Sequence, residues 1–378
     1  MPSISSSFAA TCLAVLLLVG DVHTAPQAVA TPVPSLTPGG GSSGNAAATA
    51  CNNSPELCSR RYNDMLHFGA HNSAFLRDAS TDYSLFGNQY LNATVGLDAG
   101  LRLLQAQVHS EDGALRLCHS SCSLMDAGLL QDWLALIRAW MDGNPADVVT
   151  ILLVNADDRP ADEFGAAFQA AGLSRYGYTP PAASATADWP TLQTMIDQGT
   201  RLVSFVTNTQ PSAAHPYILN EFDYVFETAF EVTELTGFNC TLDRPSTAGG
   251  SASAAVAANY LGLVNHFKYE VLIAGIMAPD EATLGVVNSP EAAVAGNMGL
   301  HLQRCGAEWA RTPSFVLVDF WDEASPIAAV DQLNNLASVT GRRQSEAVVV
   351  AGAVAAVDVR NLGHGALLAF LVGVLLLV

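Results

Sequence analysis

Two apolar stretches each end in a histidine: Leu66-His67-Phe68-Gly69-Ala70-His71-Asn72-Ser73 and Leu115-Arg116-Leu117-Cys118-His119-Ser120. Imidazole changes charge near neutral pH, so two such rings turned toward one substrate can act as base and acid. Between them runs Gly100-Leu101-Arg102-Leu103-Leu104-Gln105-Ala106-Gln107-Val108-His109, where Leu101, Leu103, Gln105 and Gln107 alternate with Leu104, Ala106 and Val108. That is strand spacing with the polar groups at the C-terminal end. Polar residues at the C-terminal ends of adjacent parallel strands converge on one rim of a sheet, where a (β/α) barrel keeps its chemistry.

The surrounding chain supplies elements to hold such a rim. Val148 to Val154 is a near-continuous apolar run, as a strand buried on both faces requires. Arg201 to Asn208 repeats the pattern after a helix expected over Leu192 to Gln198, and Tyr224 to Thr228, Leu261 to Phe267 and Phe315 to Phe320 supply more. With the stretches ending at His71, His109 and His119, eight strand-like segments are expected. An amphipathic helix over Leu129 to Met141 carries Trp133, Leu134, Ile137 and Trp140 on one face and is stopped by Gly143-Asn144-Pro145. Residues 74–99 read as a long loop, 245–259 as a loop leading to a weak helix, 290–310 as a helix carrying Cys305, and Ile327 to Leu336 as the closing helix. The middle helices are short or absent and no Gly-rich phosphate loop follows a strand. The fold class expected is therefore α/β, a distorted TIM (β/α)8 barrel rather than a doubly wound sheet.

The chain has 378 residues, with 16 basic against 35 acidic side chains and a net charge of −19, which argues against nucleic acid as a partner. Cys12 to Gly20 is an apolar stretch too short to span a bilayer, and residues 1–30 read as a secretory signal. Residues 31–50 are a Pro/Ser/Gly/Ala-rich linker, 51–342 the barrel, and 343–378 a spacer and hydrophobic tail. That tail, Ala366 to Val378, has no charged residue after it and falls short of a spanning helix. Ala351, Gly352 and Ala353 precede a spacer with Asp358 and Arg360, the order of a glycosylphosphatidylinositol attachment signal. The expectation is a secreted monomer anchored at the cell surface through a C-terminal lipid or associated with the cell wall. Six cysteines remain after the signal, and their intervals favour Cys51 with Cys58, Cys118 with Cys122, and Cys240 with Cys305. Asn52, Asn92 and Asn239 head glycosylation sequons.

His71-Asn72-Ser73 after a strand, Gly-Leu-Arg-Leu-Leu before a polar strand end, Leu-Cys-His some ten residues later, and Ser314-Phe315-Val316-Leu317-Val318-Asp319 together resemble the X-domain of phosphatidylinositol-specific phospholipase C. The resemblance implies that His71 takes the proton of an inositol 2-hydroxyl, that Asp319 orients His71, and that His119 protonates the leaving oxygen. A hydrogen bond of about 2.6 to 3.2 Å is then expected between His71 and Asp319. It implies a phosphoinositide or glycosyl-phosphoinositide substrate, with Asn72, Gln105, Gln107, His109, Asn155 and Glu227 as candidate contacts. Calcium-dependent members of the family place an asparagine and three carboxylates at positions that align with Asn72, Gln105, Gln107 and Asn155, and bacterial members place an arginine at Gln107. Here all four are neutral amides, so no metal or other cofactor is expected, and His109, on the same strand face as Gln107, is the available substitute cation. The alternative reading is a weak or inactive surface protein that binds inositol phosphate or glycan in the retained pocket. A structural wall or surface protein is the third.

Overall fold

The computed structural model describes residues 50–272 and 275–343, so the secretory signal, nearly all of the linker and nearly all of the C-terminal tail lie outside the described residues. In chain order the elements are β1 His67–Ala70, α1 Ala93–Ala99, β2 Leu103–Glu111, β3 Ala114–Cys118, β4 Asp126–Leu129 and α2 Leu130–Gly143. They continue with β5 Val149–Asn155, α3 Ala161–Ala170, α4 Leu192–Gln198, β6 Leu202–Val206, β7 Ile218–Asn220, β8 Val225–Glu227, α5 Ala252–Ala257 and β9 Leu261–Asn265. The last are β10 Tyr269–Val271, β11 Met277–Pro279, α6 Leu284–Val287, α7 Met298–Trp309, β12 Phe315–Val318 and α8 Ile327–Leu333.

Eight parallel strands lie side by side in the order β7-β6-β5-β2-β1-β12-β9-β8. This is chain order wrapped round a curled sheet, the arrangement of a (β/α)8 barrel left open: among the described residues no ladder joins β7 to β8. The opening falls where the crossover helices are missing, since no α-helix separates β6 from β7 or β7 from β8. Leu103, Phe205, Leu263, Phe315 and Leu317 fill the inside, while two outer clusters pack the sheet against α2 and α3 on one side and α5, α7 and α8 on the other. Gly69 is required by this curl, because a Cβ there would sit 2.7 Å from Leu103 Cγ on the neighbouring strand.

Three expectations need correction. The stretch ending at His119 is not a barrel strand: β3 pairs antiparallel with the end of β2, forming a hairpin that β4 extends. Period-two alternation marks a strand but carries no direction. The true eighth barrel strand is β7, three residues long and too short to register as a periodic segment. Residues 74–99 are not all loop, since they end in α1, capped by Asn92 and stopped by Gly100 at a positive φ. All three expected disulfides are bonded. Of the sequons, Asn92 is exposed and Asn239 half-buried, whereas Asn52 is buried with its side-chain oxygen accepting from Val148 N at 2.7 Å. A glycan at Asn52 does not fit this packing.

Burial also leaves an acid-sensitive core. Desolvation holds His67 and His301 down to about 4 and His266 to about 3, against about 6.5 in an unfolded chain. Their contribution is intact above pH 6.5 and is lost as the pH falls through that window, about 1.4 kcal/mol per pH unit for each group. Urea midpoints should therefore drop steeply between pH 7 and pH 4.5; a flat profile would contradict neutral burial of these rings.

Candidate active site

β1 and β12 are adjacent and in register, Ala70 opposite Val318, so the residues that follow them emerge together. His71 Nδ1 lies 2.8 Å from Asp319 Oδ1, both side chains almost fully buried. Asn88 Nδ2 donates to the same oxygen at 3.0 Å. A carboxylate only accepts, so Nδ1 carries the hydrogen of neutral His71 and Nε2 keeps its lone pair. The Phe267 ring lies flat on the imidazole, centroids 3.7 Å apart and planes 3° from parallel. Gln89 fixes the backbone below, its Nε2 donating to His71 O at 2.6 Å and Val318 O at 3.1 Å.

His119 follows the last residue of β3, at the end of the β2–β3 hairpin away from its Asp112-Gly113 turn, held by the Cys118–Cys122 disulfide immediately around it. Its ring meets Phe75 edge-on at 5.2 Å. Burial, and secondarily the charge of His71, pull its pKa down to about 4. Its Nε2 has no hydrogen-bond partner, and neither do either side-chain atom of the fully buried Asn72, Asp319 Oδ2 or Asn88 Oδ1. Buried polar atoms are normally satisfied, so these five atoms call for a partner, a polar ligand or water.

Gln105 and Gln107, spaced to share one face of β2, each hold a turn. Gln105 Oε1 accepts from Asn72 N at 2.6 Å, stabilising the left-handed backbone of Asn72, φ 48°. Gln107 Oε1 accepts from Ser120 N at 2.8 Å. Asn155 is likewise engaged, its oxygen with Arg159 N and its nitrogen with Arg159 O. These donors do not fit a calcium ion: they bring no charge, and three of the four amide oxygens already serve backbone N–H groups. His109 Nδ1 faces Asp157 Oδ1 at 3.4 Å. Glu227, at the end of β8, accepts from Arg244 Nε at 2.9 Å and Asn265 Nδ2 at 3.0 Å. Beside it burial and the Glu227 carboxylate raise Glu221 well above the usual carboxyl range, which keeps its proton on. Arg102 sits at the other end of β2, bound to Asp147 at 2.6 Å, and takes no part in the rim.

The structure thus brings together His71, Asp319, His119, Asn72, Gln105 and Gln107, leaves His109 and Asn155 tied to partners of their own, and adds Asn88, Gln89 and Phe267, which strand periodicity does not single out. A loop amide has no spacing to betray it; the only signal is the length of the segment that carries Asn88 and Gln89.

The PI-PLC X family model, described as PI-PLC X 1, matches residues 57–334. The chain is 38% identical over 288 residues to the PI-PLC X domain-containing protein 1 of Arthroderma benhamiae, covering 76% of this chain and 90% of that protein. It is 35% identical over 314 residues to an uncharacterized secreted protein of the same organism, covering 78% and 69%. The phosphatidylinositol-specific phospholipase C from Listeria monocytogenes superposes with a TM-score of 0.52 at 14% identity, over 76% of this chain and 99% of that one, a likeness of fold.

Proposed function

Because this chain belongs to the phosphatidylinositol-specific phospholipase C X-domain family, we propose that its phosphodiesterase-like site cleaves a phosphoinositide or glycosyl-phosphoinositide without a metal. The observation that carries this reading is the His71–Asp319 bond at 2.8 Å, which leaves a basic Nε2 facing outward from the pair. His71 Nε2 removes the inositol 2-hydroxyl proton, and the oxygen attacks phosphorus. The bond from phosphorus to the glycerol oxygen breaks as His119 Nε2 delivers a proton to it, giving a cyclic inositol phosphate and a diacylglycerol. Asp319 stabilises the imidazolium that forms on His71. Asn72 supplies an amide donor to a phosphoryl oxygen, and Glu227 with Arg244 contacts ring hydroxyls. Gln105 and Gln107 act on the backbone of the two histidine turns.

One observation favours a second reading, a surface protein that binds inositol phosphate or glycan without turnover. No positive side chain sits at Gln107, and His109 faces Asp157. Stabilisation of developing phosphoryl charge is a large term in catalysis, about 3 to 4 kcal/mol for a single donor. The two readings separate on product. Purified protein with phosphatidylinositol in EDTA should release the cyclic phosphate at the rate seen with calcium; binding of inositol phosphate with no cyclic product at any enzyme concentration selects the second.

We further propose secretion, in keeping with the relative named as a secreted protein, with a signal over 1–30, a linker over 31–50, the barrel over 51–342, and glycans at Asn92 and Asn239. The segment 343–378 is proposed as the lipid-attachment signal.

A further inference from the structure

We propose that Glu221 is a positioning residue: it shares one proton with Glu227 across the gap between β7 and β8, and this bridge sets Glu227 for the ring hydroxyls of the substrate. The ring-hydroxyl contact rests on the function proposed above; the bridge itself does not. Glu221 is the residue after β7 and Glu227 the last of β8, so both leave the C-terminal ends of strands that no ladder joins among the described residues. The edge of β8 away from β9 is taken at this point by a short stretch instead, with Glu227 N donating to Arg244 O at 2.8 Å and Asp243 N to Glu227 O at 2.9 Å. Across the gap the Glu221 and Glu227 carboxyl groups lie within hydrogen-bonding reach of each other.

Burial and partners decide where the proton sits. Glu221 is 0% and Glu227 2% exposed, and two carboxylates side by side without water cannot both stay charged. Glu227 Oε2 accepts from Arg244 Nε at 2.9 Å and Asn265 Nδ2 at 3.0 Å, with Arg244 Nη2 also 2.9 Å away, whereas neither oxygen of Glu221 has a donor. Two donors and a cation stabilise the anion on Glu227, so the proton belongs to Glu221, whose O–H donates to Glu227. Arg244 does not compete for this role, because it lies over the Phe222 and Phe230 rings, 5.6 and 4.4 Å from their centroids, with its Nε committed to Glu227.

The charged groups facing Glu221 are Glu227 on β8 and Arg244 on the covering stretch; burial first, then Glu227, push its pKa up, and Arg244 opposes them. A raised carboxyl contributes stability that is complete below its ordinary value of 4.5 and is lost as the pH rises through the raised value. Beyond that point two negative charges meet in the gap, and their repulsion displaces Glu227 from the position that meets ring hydroxyls.

The test compares the full chain with Glu221→Gln and Glu221→Ala from about pH 5 to about pH 9, the range above the ordinary carboxyl value. Urea midpoints are read without ligand, and binding is read by calorimetry with myo-inositol, an uncharged probe that brings no titration of its own. Glutamine keeps a donor toward Glu227 and cannot ionise. Glu221→Gln should therefore match the parent at the acid end and gain on it as the pH rises, in folding constant and in affinity, by at most about tenfold per pH unit. The buried histidines act alike in both proteins and cancel. Glu221→Ala removes the donor and should weaken myo-inositol binding about tenfold at every pH, the order of one hydrogen bond to a charged group. Parallel urea profiles for the parent and Glu221→Gln would overturn the shared proton. Full binding by Glu221→Ala, or binding by Glu221→Gln as weak as that of Glu221→Ala at every pH, would overturn the positioning role. A urea difference of the expected sign with no myo-inositol binding by the parent keeps the bridge and removes the ring-hydroxyl reading of Glu227 instead.

Discussion

His71→Ala should lower kcat/KM for cyclic phosphate release by about 10²- to 10⁴-fold, the span of a lost general base. The hydrogen on Nδ1 is directed to Asp319 at 2.8 Å, and the stack on Phe267 fixes the plane in which the Nε2 lone pair lies. No neighbour replaces it. Burial, with the Asp319 charge behind it, pushes the Tyr269 hydroxyl upward in pKa, so that phenol stays protonated, and Asn72 and Asn88 are amides. Asp319→Asn should cost less, about 10- to 100-fold, for a reason specific to this site. The same oxygen accepts from both His71 and Asn88, while Oδ2 has no partner. An asparagine can keep its oxygen on both donors and turn its NH2 to the vacant side, preserving the tautomer and removing only the charge that supports the imidazolium. The check is kinetics on both variants, with thermal melts to confirm folding. Losses of equal size would mean that the carboxylate does more than hold and neutralise the ring.

Some of this was legible in the sequence for definite physical reasons. Parallel strands buried on both faces read as apolar runs, so β5 and β6 stand out. Leu192 to Gln198 is helical as expected because Thr191 caps its start and Gly199 its end. The Asp319 contact, 248 residues from His71 in sequence, follows once both are read as strand ends on one rim. Other features were hidden. A three-residue strand such as β7 has no period, and an alternating stretch such as β3 does not disclose that it runs backward. For Gln105 and Gln107 the residue type discloses the missing charge, but not that their oxygens hold the backbone N–H groups of Asn72 and Ser120. Nor does a sequon disclose that Asn52 is spent on Val148.

His119→Ala should lose activity to an extent set by the leaving group. With a diacylglycerol leaving group the departing alkoxide is a strong base, and removing the acid should cost about 10²- to 10⁴-fold. With a nitrophenyl inositol phosphate the departing phenolate needs little protonation, and the loss should shrink to about tenfold or less. The position of His119 adds a pH signature. Burial first, then His71, hold it near 4 in the free site, so the acid form is scarce at neutral pH. A bound phosphodiester brings negative charge beside it and favours the protonated ring, which makes the bound pKa higher than the free one. Binding therefore takes up a proton, and affinity for the anionic substrate should improve as the pH falls from neutral toward 4, by at most about tenfold per unit. That improvement should be reduced in His119→Ala while the contacts proposed for Asn72 and Glu227 remain. Equal losses on the two leaving groups, with an unchanged pH slope, would show that His119 shapes the pocket and does not deliver the proton.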